Sequence, residues 1–256
     1  MHKWDANQYL KFKQERTQPA VDLISRLVKE TPATVLDVGC GPGNSTQALS
    51  VRFPQADILG IDSSEAMITA AKAALPDLSF TLCDASTGLP ALERTFDLVF
   101  SNACLQWIPD HPALLRALFD ILNPGGCLAV QIPINYEQPI HKIIASVAAS
   151  EKWDAKLPHK REFYTLRPEN YYDLLSGLTD DFHIWSTIYF HRMRSHQDII
   201  EWYRGTGLKP YLSALSAGDS KAFEADIYAE VVKAYPSQQN GEIIFRFPRL
   251  FFTAKK

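Results

Sequence analysis

Hydrophobic residues fall in short runs separated by polar, helix-permissive stretches. The run ATVLDV (33–38) closes on a Gly-rich turn, and Asn44 to Val51 then carry helix-compatible side chains, which predicts strand, loop and helix in that order. The order repeats. ADILGI (56–61) reads as a strand leading into SSEAMITAAKAAL (63–75), whose Ala-rich body favours helix and whose start can be capped by Ser63 or Ser64. LSFTLCD (78–84) and FDLVFS (96–101) read as third and fourth strands, HPALLRALFDIL (111–122) as an amphipathic helix, NPGG (123–126) as a turn and CLAVQIP (127–133) as a fifth strand. Such alternation predicts parallel strands joined by right-handed crossovers, so the first half reads as a doubly wound α/β domain.

The pattern changes after Pro133. Residues 139–152, 168–178 and 196–236 read as helical, DFHIWSTIYFHRM (181–193) alternates as a strand, and EIIFRFPRLFFTAKK (242–256) closes as another. A seven-stranded sheet results, its last two strands separated by a helical insertion.

Composition narrows the function. With 256 residues, 46% hydrophobic and 21% charged, the chain can bury a substantial core as one domain. A net charge of −3 gives no global attraction for nucleic acid, so a small-molecule partner is expected instead. Cys40, Cys83, Cys104 and Cys127 follow no paired-ligand spacing and read as reduced core thiols. No stretch of about 18 apolar residues occurs, and the start, MHKWDANQYLKFKQER, has no apolar run. A cytoplasmic monomer with no membrane partner is expected.

The strongest chemical signal is VLDVGCGPG (35–43), where Gly39, Gly41 and Gly43 follow a strand and open a helix. Glycines suit a turn that needs unusual backbone angles and close ligand approach. The Gly-x-Gly-x-Gly spacing, preceded by Asp37, fits a nucleoside carrying an amino acid better than a dinucleotide, whose motif is Gly-x-Gly-x-x-Gly. Asp62 closes the second strand 19 residues beyond Gly43, where a carboxylate can accept from both ribose hydroxyls or cap the next helix. No Gly-x-Ser-x-Gly elbow, His-Glu-x-x-His or phosphate-binding loop is present, so neither a hydrolytic nucleophile nor a metal is indicated. His111, beside Pro112 at a helix start, reads as a cap or surface residue.

Asp-Val-Gly-Cys-Gly-Pro-Gly after a strand resembles the first motif of the class I S-adenosylmethionine-dependent methyltransferases. The resemblance implies a Rossmann-like seven-stranded sheet, mostly parallel with its last strand antiparallel. It implies S-adenosylmethionine as cofactor and S-adenosylhomocysteine as product. It also assigns cofactor contacts to Asp37, Gly39, Cys40 and Gly41, to Asp62, Ser63 and Met67, and to Asp84 and Ala85 in CDAS (83–86). SNACLQW (101–107) matches the motif after the fourth strand, placing Asn102, Gln106 and Trp107 beside the methionine moiety, with core packing the alternative for Met67 and Trp107.

Beyond those motifs, the chain resembles the trans-aconitate 2-methyltransferase family along its length. The matching segments are WDANQYLKFKQERTQPA (4–20), GCGPGNST (39–46), GIDSS (60–64), LQWIPDH (105–111), LNPGG (122–126), YFHRMRSHQDIIEW (189–202), TGLKPYL (206–212) and FPRLF (247–251). Lys209 and Arg192 stand where the family commonly has Arg and Gln, which bears on which acid is preferred. The resemblance implies an N-terminal helical segment (1–30), a cofactor-binding core (31–134) and a helical cap (135–180 and 195–240) over the acceptor.

A carboxylate is already ionised at pH 7 and needs no base, so the expected acceptor site is a set of cationic clamps with aromatic walls. Arg16, His191, Arg192, Arg204 and Arg249 are the candidate clamps, and Tyr9, Phe12, Tyr136 and Trp202 the candidate walls. A hydroxyl or amine acceptor would need a base, for which His191 is the candidate. A silent S-adenosylmethionine-binding protein is the reading from another class.

Overall fold

The computed structural model describes residues 13–27, 31–157 and 164–256, with helix α1 at Lys13–Arg26. Strands β1 (Thr34–Val38), β2 (Asp57–Asp62), β3 (Ser79–Leu82), β4 (Phe96–Asn102) and β5 (Leu122–Pro133) alternate with α2 (Asn44–Arg52), α3 (Glu65–Ala74) and α4 (His111–Asp120). Then follow α5 (Pro139–Ala148), α6 (Pro168–Ser176), β6 (Phe182–Met193), α7 (His196–Arg204), α8 (Lys209–Ala214), α9 (Ala217–Ala234) and β7 (Ile243–Lys255). The strand order is β3-β2-β1-β4-β5-β7-β6, with the first five parallel and β7 antiparallel to β5. The Rossmann-like methyltransferase sheet is therefore the fold of this chain.

Two compact units make up the chain. One holds β1 to β5, α1 to α4, α6 and residues 249–256. Its central strands carry helices on both faces, so they are apolar at nearly every position: Val35, Leu36, Leu98, Val99, Leu128 and Val130 are all fully buried. Against β2 and β3, Ile68 and Ala71 of α3 pack on Cys40 and Phe80. The other unit comprises residues 134–157 and 188–248 and centres on aromatic rings, with Trp202, Phe245 and Phe247 packed together and Trp153 edge-on to Phe223.

Three boundaries differ from the sequence expectation. NPGG is part of β5 rather than a turn before it, because the β4–β5 register passes from Phe96–Leu122 to Leu98–Cys127 and the intervening residues form a bulge. Helix α6, expected within the cap, belongs to the sheet unit, where Tyr171 is fully buried and its ring meets Phe252 at 5.6 Å. His111 is neither cap nor surface. Asp110 caps α4, its carboxylate accepting from the Ala113 amide, while the His111 ring is buried.

Candidate active site

The Gly-rich turn is held open by backbone geometry. The amides of Gly39 and Cys40 both donate to the Ile61 carbonyl, at 2.8 and 2.9 Å, which ties the turn to the end of β2. Gly39 has φ +72°, and a Cβ there would lie 2.2 Å from the Cys104 Sγ, so only glycine fits. Gly41 has φ +54°, but its missing Cβ would meet no described atom within 4 Å. That side of the loop is open to a ligand.

Two carboxylates flank the loop. Asp37 is fully buried, its Oδ2 accepting from the Ser45 and Thr46 hydroxyls at 2.7 Å each, while Oδ1 has no partner among the described residues. Burial pushes its pKa up to about 6, against the opposing hydrogen bonds of Thr46 and Ser45. Asp62 accepts from the Gly41 amide at 3.0 Å through Oδ2 and from the Ser64 amide at 2.8 Å through Oδ1. It therefore braces the loop and the start of α3 together. The Ser64 hydroxyl makes no cap hydrogen bond, and Ser63 is exposed. Met67, in the first turn of α3, is buried.

CDAS (83–86), the segment expected to read adenine, follows β3. Asp84 Oδ1 accepts from the Ser86 amide and hydroxyl at 2.9 and 2.7 Å, which folds the turn and leaves Ala85 buried behind it. After β4, Ala103 is forced to φ +53°, held by its amide on the Gln131 carbonyl and by Gln106 Nε2 on its own carbonyl. Asn102 Oδ1 and Gln106 Oε1 are buried without a hydrogen-bond partner among the described residues. Trp107 is 36% exposed, which removes the core-packing alternative for it.

Beneath this turn lies a pair that sequence reasoning missed. His111 Nε2 is 2.9 Å from the Leu105 carbonyl, which can only accept, so Nε2 carries the proton and Nδ1 takes the Tyr171 hydroxyl hydrogen at 2.6 Å. Burial lowers the His111 pKa. Its neutral ring therefore anchors the segment that carries Gln106 and Trp107.

Three comparisons with known proteins bear on this site. A family model described as "Methyltransferase domain" matches residues 35–126, the stretch that holds every residue expected at the cofactor. The trans-aconitate 2-methyltransferase of Methylobacterium radiotolerans is 43% identical, with 100% of this chain and 99% of the relative aligned. The chain belongs to the trans-aconitate 2-methyltransferase family. In fold it is similar to the crystal structure of the YcgJ protein of Bacillus subtilis, at TM-score 0.62 and 17% identity over 93% of this chain and 98% of that one. It is also similar to Haemonchus contortus phosphoethanolamine N-methyltransferase 2, solved with S-adenosylhomocysteine, at TM-score 0.55 and 18% identity over 93% of this chain and 52% of that one.

As a member of that family the protein is an S-adenosylmethionine-dependent methyltransferase, and the site fits the cofactor on its own terms. Asp37 Oδ1, Asn102 Oδ1 and Gln106 Oε1 are three buried acceptors without donors among the described residues, a set suited to an ammonium group. The open side of Gly41 leaves the main chain there uncovered by any described atom within 4 Å of a built Cβ.

The family's acceptor candidates divide. Arg249 is buried in the sheet unit and donates from Nη1 to Gln131 Oε1 at 3.0 Å. In the other unit, the buried His191 ring stacks on Trp202 at 4.9 Å, and Tyr136 is half-buried. Arg192 faces the opposite side of β6 from His191 and pairs bidentately with Glu242 at 2.9 and 2.8 Å. Arg204 is held bidentately by Glu224 at 2.7 and 2.8 Å and also by Glu201. These two arginines are already engaged by carboxylates of the protein. Tyr9, Phe12 and the Arg16 side chain lie outside the described residues. Among the described residues there is no cluster able to hold a metal ion.

Proposed function

We propose that this protein transfers the methyl group of S-adenosylmethionine to a carboxylate of trans-aconitate, forming a methyl ester. The observation that carries this reading is the extent of the likeness: trans-aconitate 2-methyltransferases match 100% of the chain, well beyond the methyltransferase segment 35–126.

When bound, the cofactor supplies an electrophilic methyl on a sulfonium. The attacking carboxylate oxygen forms the new bond to that carbon, the carbon–sulfur bond breaks, and its electron pair stays on sulfur. Because the acid is an anion at pH 7, no residue need remove a proton. The protein's work is placement. Asp37 holds the ammonium end at the tip of β1, while Arg249 offers a buried guanidinium to a carboxylate. Asp62, Ser63 and Cys40 bear on the ribose and loop side, and Asp84 and Ala85 on the adenine. Aligning oxygen and methyl at about 3 Å in a dry site supplies several kcal/mol of the acceleration.

Tyr136, His191 and Trp202 as further acid-binding residues, and the response of residues 135–180 and 195–240 to the acid, belong to the same proposal. So does action as a cytoplasmic monomer without nucleic-acid or membrane partners; no helix among the described residues is long and apolar enough to cross a membrane. Incubating the protein with methyl-labelled S-adenosylmethionine and a panel of carboxylic acids tests the reading. A labelled methyl ester of trans-aconitate supports it. A label found only on a hydroxyl or amine acceptor overturns it.

A further inference from the structure

The register of the sheet unit sets a row of polar residues across its apolar centre. Asp37 pairs with Phe100, Asn102 lies two residues beyond Phe100 and pairs with Gln131, and Pro133, two beyond Gln131, pairs with Arg249. Paired residues share a face, and alternate residues return to it. Asp37, Asn102, Gln131 and Arg249 therefore line one face near the carboxyl ends of the parallel strands, where open α/β sheets bind ligands.

The row is sorted by hydrogen-bonding character. Its β1–β4 end offers acceptors, Asp37 Oδ1 and Asn102 Oδ1. Its β5–β7 end offers donors. Gln131 is fully buried within the otherwise apolar run CLAVQIP (127–133) of β5; its Oε1 accepts from Arg249, and its Nε2 has no hydrogen-bond partner among the described residues. A fully buried amide donor in that state costs stability unless a ligand engages it. One side-chain amide thus holds the guanidinium with its oxygen and presents a donor with its nitrogen, the fixed arrangement that a carboxylate with two oxygens requires.

We propose that Gln131 is a specificity-determining residue of this enzyme: together with Arg249 it forms a two-donor site for a carboxylate of the acceptor acid, distinct from the acceptors that receive the cofactor's ammonium. This rests on the functional reading above and adds a residue to it. A carboxylate has two sources here, the acceptor acid and the amino-acid end of the cofactor, and the pair serves the acid.

Three variants test the proposal. Gln131→Glu places a negative charge against Arg249 and removes the donor, Gln131→Leu removes both functions at similar volume, and Gln131→Asn keeps the chemistry at shorter reach. Each is titrated with S-adenosylhomocysteine alone, then, saturated with it, with trans-aconitate and a dicarboxylic analogue lacking one carboxylate. Steady-state KM and kcat are read on the same proteins. Gln131→Glu is expected to raise the acid's Kd and KM at least tenfold, and Gln131→Leu fivefold or more, with kcat and S-adenosylhomocysteine affinity within about twofold of the parent. Both should lose much of the preference for the tricarboxylate over the analogue, and Gln131→Asn should recover part of it. Loss of S-adenosylhomocysteine affinity with unchanged acid KM would assign the pair to the cofactor and overturn the proposal, as would an unchanged preference in Gln131→Glu. If the parent protein itself binds and methylates no carboxylic acid, the functional reading fails, and the proposal with it.

Discussion

The Tyr171 hydroxyl lies 2.6 Å from His111 Nδ1, joining α6 to the start of α4 beneath the turn that carries Gln106 and Trp107. Tyr171→Phe leaves His111 Nδ1 and the Leu166 amide without that hydroxyl, and should cost about 1–3 kcal/mol in denaturant unfolding. The pair also predicts a pH dependence. Burial holds the His111 pKa below its ordinary 6.5, so the unfolded chain binds the proton more tightly than the folded one. This contribution is complete above pH 6.5 and is lost as pH falls towards the folded pKa. Stability measured from pH 8 to 5 should drop below 6.5 in the parent and drop less in His111→Gln.

Asp37 has the opposite linkage. Its folded pKa, about 6, lies above the ordinary 3.8, so the folded state binds the proton more tightly and the protein without ligand loses stability as pH rises from 3.8 through 6. Asp37→Asn should therefore stabilise the ligand-free protein by roughly 2–3 kcal/mol at pH 8, while weakening S-adenosylhomocysteine at least tenfold. Thermal melting with and without S-adenosylhomocysteine checks both halves. A variant that melts no higher than the parent and keeps its affinity would remove Asp37 as the ammonium partner.

The two loop glycines should separate in effect. Gly39→Ala drives a methyl into Cys104 at positive φ and should cost roughly 2–4 kcal/mol of stability. Gly41→Ala meets open space, so it should cost only about 1 kcal/mol, yet its methyl projects where the ligand approaches and should weaken S-adenosylhomocysteine tenfold or more. Calorimetric titration beside unfolding curves distinguishes them; equal losses of affinity per unit of stability would contradict the assignment of that face.

Both carboxylates and the strand–turn–helix order were legible because a Gly-rich turn after an apolar run carries a local signature. What escaped depends on register. Gln131 is one polar letter in CLAVQIP, and only strand pairing shows that it shares a face with Asn102 and touches Arg249. His111 could not be read as buried because its partner, Tyr171, is 60 residues away. Ser45 and Thr46, which hold Asp37, looked like ordinary first-turn residues of a helix. A lone polar residue in a buried strand was the available signal for Gln131.

Arg204 and Arg192 are expected to be structural. Arg204→Met breaks the part-buried contacts to Glu224 and Glu201 and should lower stability by about 1 kcal/mol while leaving the acid KM within twofold. Arg192→Ala, an exposed pair with Glu242, should leave KM and melting temperature unchanged. Steady-state kinetics with trans-aconitate decides; a tenfold KM increase in either variant would return that arginine to the acceptor site.

Carboxylate methylation without a titrating base is the central claim, and the pH profile of the methyl-transfer step in a single turnover tests it most directly. With enzyme, labelled S-adenosylmethionine and saturating trans-aconitate, the rate of ester formation should stay flat within about twofold from pH 6.5 to 9, because the nucleophile is ionised throughout and Asp37 titrates lower. His191→Gln should give the same flat profile. A rate that climbs tenfold per pH unit near 6.5, and collapses in His191→Gln, would show a base at work and contradict the account.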